Sequence, residues 1–348
     1  MSLISRLATS LSCLSRHTAK YNFNSPFLKQ PLRLFKSQGG RRPTEELGEK
    51  LFGPVDKVGI AKNGVSSQPS GPSLIKPFLF TIGFSGSVFV GATIWQYESA
   101  LKKAHLTKEK VSSWFSQQFN PTKQGELRQR LNTWWSTQTE GQKWFYAILM
   151  LNTCVFLAWR NPNWHRAMTT YFASSPQSSV TSLPLLLSTF SHYSLFHLGA
   201  NMYVLHSFAS WAAHAMGKEH FTAFYLSAGV IASFVSLVHK VALGSAGLSL
   251  GASGALMGVV AYVCTRYPDV QLSILFLPQI SFSADTALKA LIIFDAAGLL
   301  LRWRMLDHAA HLGGAFFGLW WAYRGEQMIW HNREPLLRWY HDFRSRPQ

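Results

Sequence analysis

Leu248-Ser-Leu-Gly-Ala-Ser-Gly-Ala-Leu-Met-Gly258 holds Ser253 in the frame Gly251-Ala252-Ser253-Gly254, inside a stretch apolar enough for lipid. Two other apolar stretches carry His197-Leu-Gly-Ala-Asn201 and Ala310-His311-Leu-Gly-Gly314. Polar and ionisable side chains at membrane depth are costly, so they face a bundle interior or a cavity and mark a working site. These three stretches therefore decide both the class of fold and the place to look for chemistry.

Outward from them, apolar segments recur at lengths suited to a bilayer, where about 20 residues of helix cross about 30 Å of hydrocarbon. The first spans residues 77–96, and six more follow at about 144–159, 195–216, 221–239, 248–264, 287–303 and 308–323. The chain thus reads as an all-α membrane protein with one extra N-terminal transmembrane helix before a six-helix core at 144–325. Residues 97–143 read as a polar loop with amphipathic segments, in which Trp114, Phe115, Phe119, Trp134 and Trp135 sit among Lys, Arg and Gln as headgroup-boundary anchors do. Residues 326–348 read as a basic C-terminal tail.

The ends explain the charge. A net charge of +17 raises the question of nucleic acid, but the basic residues form no recognition motif and lie in tails and loops beside apolar segments, so no nucleic-acid partner is expected. Met1 to Thr44 contains eight Lys or Arg, many Ser and Thr, and no acid. That is the composition of a mitochondrial presequence, assigned here to residues 1–50, with a Gly-, Pro- and Ser-containing linker at 51–76. Cys13, Cys154 and Cys264 have no paired or metal-like spacing and read as small apolar side chains. No cofactor or metal is called for.

Direction brings the motifs together. The second, fourth and sixth core crossings are separated by single antiparallel crossings, so all three begin on one membrane face. His197, Ser253 and His311 each lie near the start of theirs and share a depth. A serine hydroxyl is a weak nucleophile until a neighbouring imidazole takes its proton, and the same imidazole then protonates the leaving amine. Ser253 and His311 suit these roles. His197 and Asn201, one helical turn apart on one face, can point together at a developing oxyanion, joined by the backbone N–H of Ser253. Gly254 and Gly258 on one crossing, and Gly314 and Gly318 on another, are small-xxx-small faces that let two helices approach closely. Singly each motif has a plainer explanation in packing or interhelical hydrogen bonding. Their order and common depth favour function.

His-x-x-x-Asn, Gly-x-Ser-Gly and Ala-His-x-x-Gly-x-x-x-Gly, in that order, resemble the rhomboid family of intramembrane serine proteases. The resemblance implies Ser253 as nucleophile, His311 as general base, and His197 and Asn201 as oxyanion donors, in a Ser/His dyad without a third member. It implies cleavage of single-pass membrane proteins near helix-destabilising small residues, and, for mitochondrial members, processing of inner-membrane proteins in quality control and apoptosis. Two departures stand out. Leu183-Pro184 occupies the place of the bacterial Trp-Arg pair, and Met257 replaces the tyrosine on which the bacterial catalytic histidine stacks.

Asp307, four residues before His311, reads as a helix-starting acid rather than a triad member. Asp295, in the fifth core crossing, is expected either to pair within the bundle or to face water, and receives no role. A metalloprotease built on Asp307, His308, His311 and His197 is the rival enzyme, weakened by the absence of His-Glu-x-x-His. A catalytically inert client-binding protein is the rival non-enzyme, and both Ser253 and His311 argue against it. Substrates, membrane orientation and oligomeric state are left open.

Overall fold

The computed structural model describes residues 73–117, 125–274, 277–303 and 305–346. The expected presequence at 1–50 and most of the expected linker at 51–76 lie outside the described residues. Helix α1 (Ile75–Gln117) continues well past the apolar segment, into the stretch read as a polar loop. Composition accounts for this, since residues 98–110 are mostly Ala, Leu, Lys and Glu, strong helix formers, with no Gly or Pro. Helix α2 (Glu126–Thr137) buries nothing and exposes Leu127, Leu131, Trp134 and Trp135 at helical spacing, as an amphipathic interfacial segment does.

Helix α3 (Glu140–Ala158) opens on a capping box, the Thr139 hydroxyl accepting from Gln142 N–H and the Gln142 side chain accepting from Thr139 N–H. A 3₁₀ turn (Pro162–Trp164) and two short helices, α4 (His165–Tyr171) and α5 (Leu183–Leu187), lead to α6 (Leu195–Met216). Gly217, at φ 79°, turns the chain directly into α7 (Lys218–Ala242). Helix α8 (Ser253–Arg266) is followed by a hairpin of β1 (Gln271–Ile274) and β2 (Leu277–Ser283). The helical reading of the sequence passed over this hairpin. Val270 and Leu272 alternate with polar residues there and pack on the bundle, the period-two pattern of a half-buried strand. Helix α9 (Ala284–Leu300) is capped by Ser283, and α10 (His308–Trp320) by Asp307. Helix α10 runs on as a π-helix (Trp321–His331).

The segment read as a basic tail is also helical. Helix α11 (Glu334–Ser345) returns to α1, where Tyr97 meets His341 Nδ1 at 2.6 Å and Tyr340 donates to Glu98 at 3.0 Å. Near the same end Phe89 of α1 stacks on Trp321 with centroids 4.5 Å apart.

Helices α8 and α10 run parallel at the centre, because their contacts advance together: Ser253 with His311, Gly258 with Gly314, and Ala261 with Gly318. The approach is backbone to backbone. A Cβ added at Gly314 would run into the carbonyl oxygen of Gly254, and one added at Gly318 into that of Gly258. Only glycine allows helices to come so close. Among the described residues, two helical stretches, 75–105 and α7, are long and apolar enough to cross a bilayer alone. Helix α8 is shorter than the segment read from the sequence because Leu248 to Ala252 stay outside it, with Ser249 bridged to Ser174.

Candidate active site

Ser253 is the first residue of α8, so its own N–H and those of the next residues have no partner within the helix and face the loop. His311 lies in the first turn of α10, and its Nε2 stands 2.9 Å from Ser253 Oγ. The glycine seam sets this distance. With Gly254 against Ala310 and Gly314 against the Gly254 carbonyl, glycine lets the first turns of the two helices come together.

His197 and Asn201 converge on the same loop from α6. Gly251, at φ 130°, takes a backbone conformation that L-residues rarely adopt, and a Cβ there would lie 2.6 Å from His197 Cε1 and 3.8 Å from Asn201 Nδ2. Any side chain at Gly251 would fill the space that these two groups face. Asn201 is not idle, however. Its Nδ2 donates to His192 Nε2 at 2.8 Å, and the N–H of Ala252 approaches the same nitrogen at 3.3 Å. His192 is therefore an acceptor at Nε2 and carries its proton on Nδ1, which is buried with no hydrogen-bond partner among the described residues. None of the sequence motifs includes His192.

Asp295 is the larger omission. The sequence suggested a Ser/His pair without a third member, yet Asp295 Oδ1 of α9 lies 3.0 Å from His311 Nδ1 and 2.6 Å from His308 Nδ1. Asp307, the acid nearer in sequence, points elsewhere. It caps α10 through Ala310 N–H at 3.0 Å, accepts from Ser236 at 2.5 Å and from Ser249, and pairs with Lys240 at 3.4 Å. Lys240 and these donors meet the oxygens of the Asp307 carboxylate. The network ties α7, the loop before α8 and α10 into one frame.

Asp295, His308 and His311 bring three ligand atoms within 4.8 Å of one another, which is a metal-sized group. It is not the cluster that the sequence offered, since Asp307 and His197 take no part. A cation between these atoms would sit behind His311, on Nδ1, while Ser253 faces Nε2. Beside Ser253 lies a polar pocket walled by Ser188, Thr189, Ser233, Ser249 and Asp307. Pro184 is buried in α5, and Met257 is buried among Val260, Ala261 and Ala315.

Residues 180–326 match the Rhomboid domain. The chain is 50% identical over 273 residues to the mitochondrial presenilin-associated rhomboid-like protein of Rattus norvegicus, covering 78% of this chain and 72% of that one. It is 46% identical over 334 residues to presenilin-associated rhomboid-like protein A, mitochondrial, of Danio rerio, covering 88% and 87%. Rhomboid protein 1, mitochondrial, of Saccharomyces cerevisiae is 32% identical over 209 residues, covering 58% and 60%. The glycine-lined pairing of α8 with α10 and these matches agree: the chain belongs to the rhomboid family and is a mitochondrial, multi-pass helical membrane protein.

Proposed function

We propose that this protein is an intramembrane serine endopeptidase of the mitochondrial inner membrane, with one N-terminal crossing before a six-helix core. It cuts single-pass membrane proteins within or near their transmembrane helices. The observation that carries the reading is the 2.9 Å contact of His311 Nε2 with Ser253 Oγ, at the abutting first turns of two parallel helices. A helix of 14 residues covers about 21 Å, less than the hydrocarbon thickness of about 30 Å, so the start of α8 is suited to a position below the bilayer surface. By the same reading residues 1–50 are the import presequence, and the clients are those of mitochondrial quality control and apoptosis.

In the first step Ser253 Oγ bonds to the scissile carbonyl carbon, the C=O π pair moves onto oxygen, and His311 Nε2 takes the hydroxyl proton. Collapse re-forms the carbonyl and breaks the C–N bond, and the proton on His311 goes to the leaving amine. Water, drawn from the hydroxyl-walled pocket, then bonds to the acyl carbon while His311 takes its proton, and collapse breaks the C–Oγ bond, releases the carboxylic acid product and returns the proton from His311 to Ser253 Oγ. The oxyanion of each tetrahedral intermediate is met by Asn201 Nδ2, His197 and the Ser253 N–H. Asn201 leaves the neutral His192 acceptor for the stronger, charged one. Each such donor typically contributes about 10²–10³-fold in turnover.

Ser253→Ala and His311→Ala, reconstituted in liposomes with a single-pass substrate, are each expected to abolish cleavage while keeping the wild-type unfolding transition. Full cleavage by either variant would end the dyad. A metal-dependent hydrolase is the other enzyme class, and strong chelation that stops wild-type cleavage, reversed by zinc, would favour it. An inert client-binding protein would show no cleavage by the wild type and no Ser253 adduct with a serine-reactive phosphonate.

A further inference from the structure

A carboxylate in the middle of an apolar helix is expensive unless its lone pairs are met. Asp295 lies within α9, is 1% exposed, and has both imidazoles of α10 on one oxygen. A carboxylate only accepts, so His308 and His311 each present Nδ1–H to it. The consequence for His311 is a fixed tautomer. With its proton held on Nδ1, its Nε2 has a free lone pair, and that nitrogen is the one beside Ser253 Oγ.

His308 is caged as tightly as the carboxylate. Its ring lies over the bare Cα of Gly298, three residues beyond Asp295 on α9, and a Cβ there would overlap the ring at Nε2, Cε1 and Cδ2. Phe294 and Trp303 stand edge-on to it, with centroids at 5.7 and 6.0 Å. Its Nε2 is buried with no hydrogen-bond partner among the described residues, so its one polar contact is the bond to Asp295. A histidine with that single contact, packed on a glycine that makes room for it, serves to hold the carboxylate.

We propose that Asp295 is a positioning residue for His311, fixing its ring and its Nδ1–H tautomer so that Nε2 can take the Ser253 proton, and that His308 clamps Asp295 in that place. The inference rests on Ser253 and His311 being the reacting pair. Asp295 touches neither substrate nor the reacting atoms. When His311 becomes an imidazolium, the carboxylate behind it is the counter-charge, and the proton on Nδ1 stays where it is.

The test uses the full chain in liposomes. Asp295→Asn turns the acceptor into a group that can donate, favouring the wrong tautomer, and kcat is expected to fall by about 10²–10⁴-fold with KM unchanged. Adduct formation at Ser253 by a fluorophosphonate should slow in parallel. His308→Ala, which removes the clamp but leaves the carboxylate, should lower kcat less, by about tenfold. A structural role alone would lower the unfolding temperature without separating kcat from KM. Should Asp295→Asn not fold, histidine ¹⁵N spectra of the wild-type protein decide, with His311→Ala assigning the signal. A His311 resonance protonated at Nδ1 supports the proposal, and one protonated at Nε2 overturns it. Asp295→Asn with wild-type kcat also overturns it. If Ser253→Ala is inactive in that same series, the serine mechanism stands and only the positioning role falls.

Discussion

The two ends of the α8–α10 pair are built from opposite materials. At the start, Gly254, Gly258 and Gly314 bring backbone against backbone, and the polar groups Ser253, His311, His197 and Asn201 gather around the space that results. About 15 Å further along, large rings fill the space: Trp321 lies between Phe89 and Phe317, His220 stacks on Trp330 at 4.2 Å, and Trp321 Nε1 donates to His220 Nε2 at 3.0 Å. The first end holds reacting groups at a set distance. The second holds the helices together and closes the bundle onto α1. Chemistry and cohesion are thus separated along one pair of helices, and each end can be perturbed without the other.

Trp321→Ala should give the largest effect. The side chain is fully buried and touches three helices, so its removal is expected to cost about 3–5 kcal/mol. Thermal unfolding in detergent should show the loss, while molecules that remain folded keep their turnover. A proportional loss of kcat in the folded fraction would mean the two ends are coupled. Gly314→Ala is the converse experiment. Its Cβ must displace the Gly254 carbonyl, costing about 1–3 kcal/mol in overpacking. The shift of α8 against α10 should also lengthen the Ser253–His311 contact, and a displacement of that kind can lower turnover about a hundredfold. Unimpaired cleavage by this variant would show that the glycine seam does not set the pair.

How much of this division is legible in the sequence follows from how local each part is. Ser253, His311 and the glycines around them can be read because each motif is a run of at most nine residues, whose members are neighbours along one segment of chain. Asp295 could not be paired with His311, because the two are 16 residues apart on different helices and only the tertiary packing brings them to 3.0 Å. Gly298 was the available signal, a small residue on the same face of α9 as a buried acid. His192 was hidden for a different reason: it lies in a loop, where no periodicity announces which way a ring points. The late start of α8 and the length of α1 were misjudged because hydropathy marks what lipid accepts, whereas helix ends follow capping, propensity and loop pairing such as Ser174 with Ser249.

Asn201→Ala sharpens the comparison within the reactive end. It removes a donor without touching the seam, so kcat should fall by about 10²-fold with KM and the unfolding temperature little changed. The variant also leaves His192 Nε2 with only the longer contact to Ala252 N–H. If the unfolding temperature falls as far as it does for Gly314→Ala, then Asn201 acts chiefly as a prop for His192 and the oxyanion role passes to His197.

Tyr262→Phe probes the cohesive end most gently and predicts the smallest change. Tyr262 is fully buried on α8, and its hydroxyl donates to Glu326 Oε2 at 3.0 Å across to the π-helix. His220 Nδ1 lies 4.0 Å from the other oxygen of the same carboxyl, too far for a good hydrogen bond, so the tyrosine is its principal donor. Phenylalanine keeps the ring packing and removes that one bond, leaving a buried carboxyl under-satisfied at a cost of about 1–2 kcal/mol. Because the bond joins the far ends of the two helices whose near ends carry Ser253 and His311, turnover at saturating substrate should be unchanged. A loss of turnover larger than the loss of folded protein would show that the distance between the reacting atoms is set along the whole length of the pair, and that the glycines alone do not fix it.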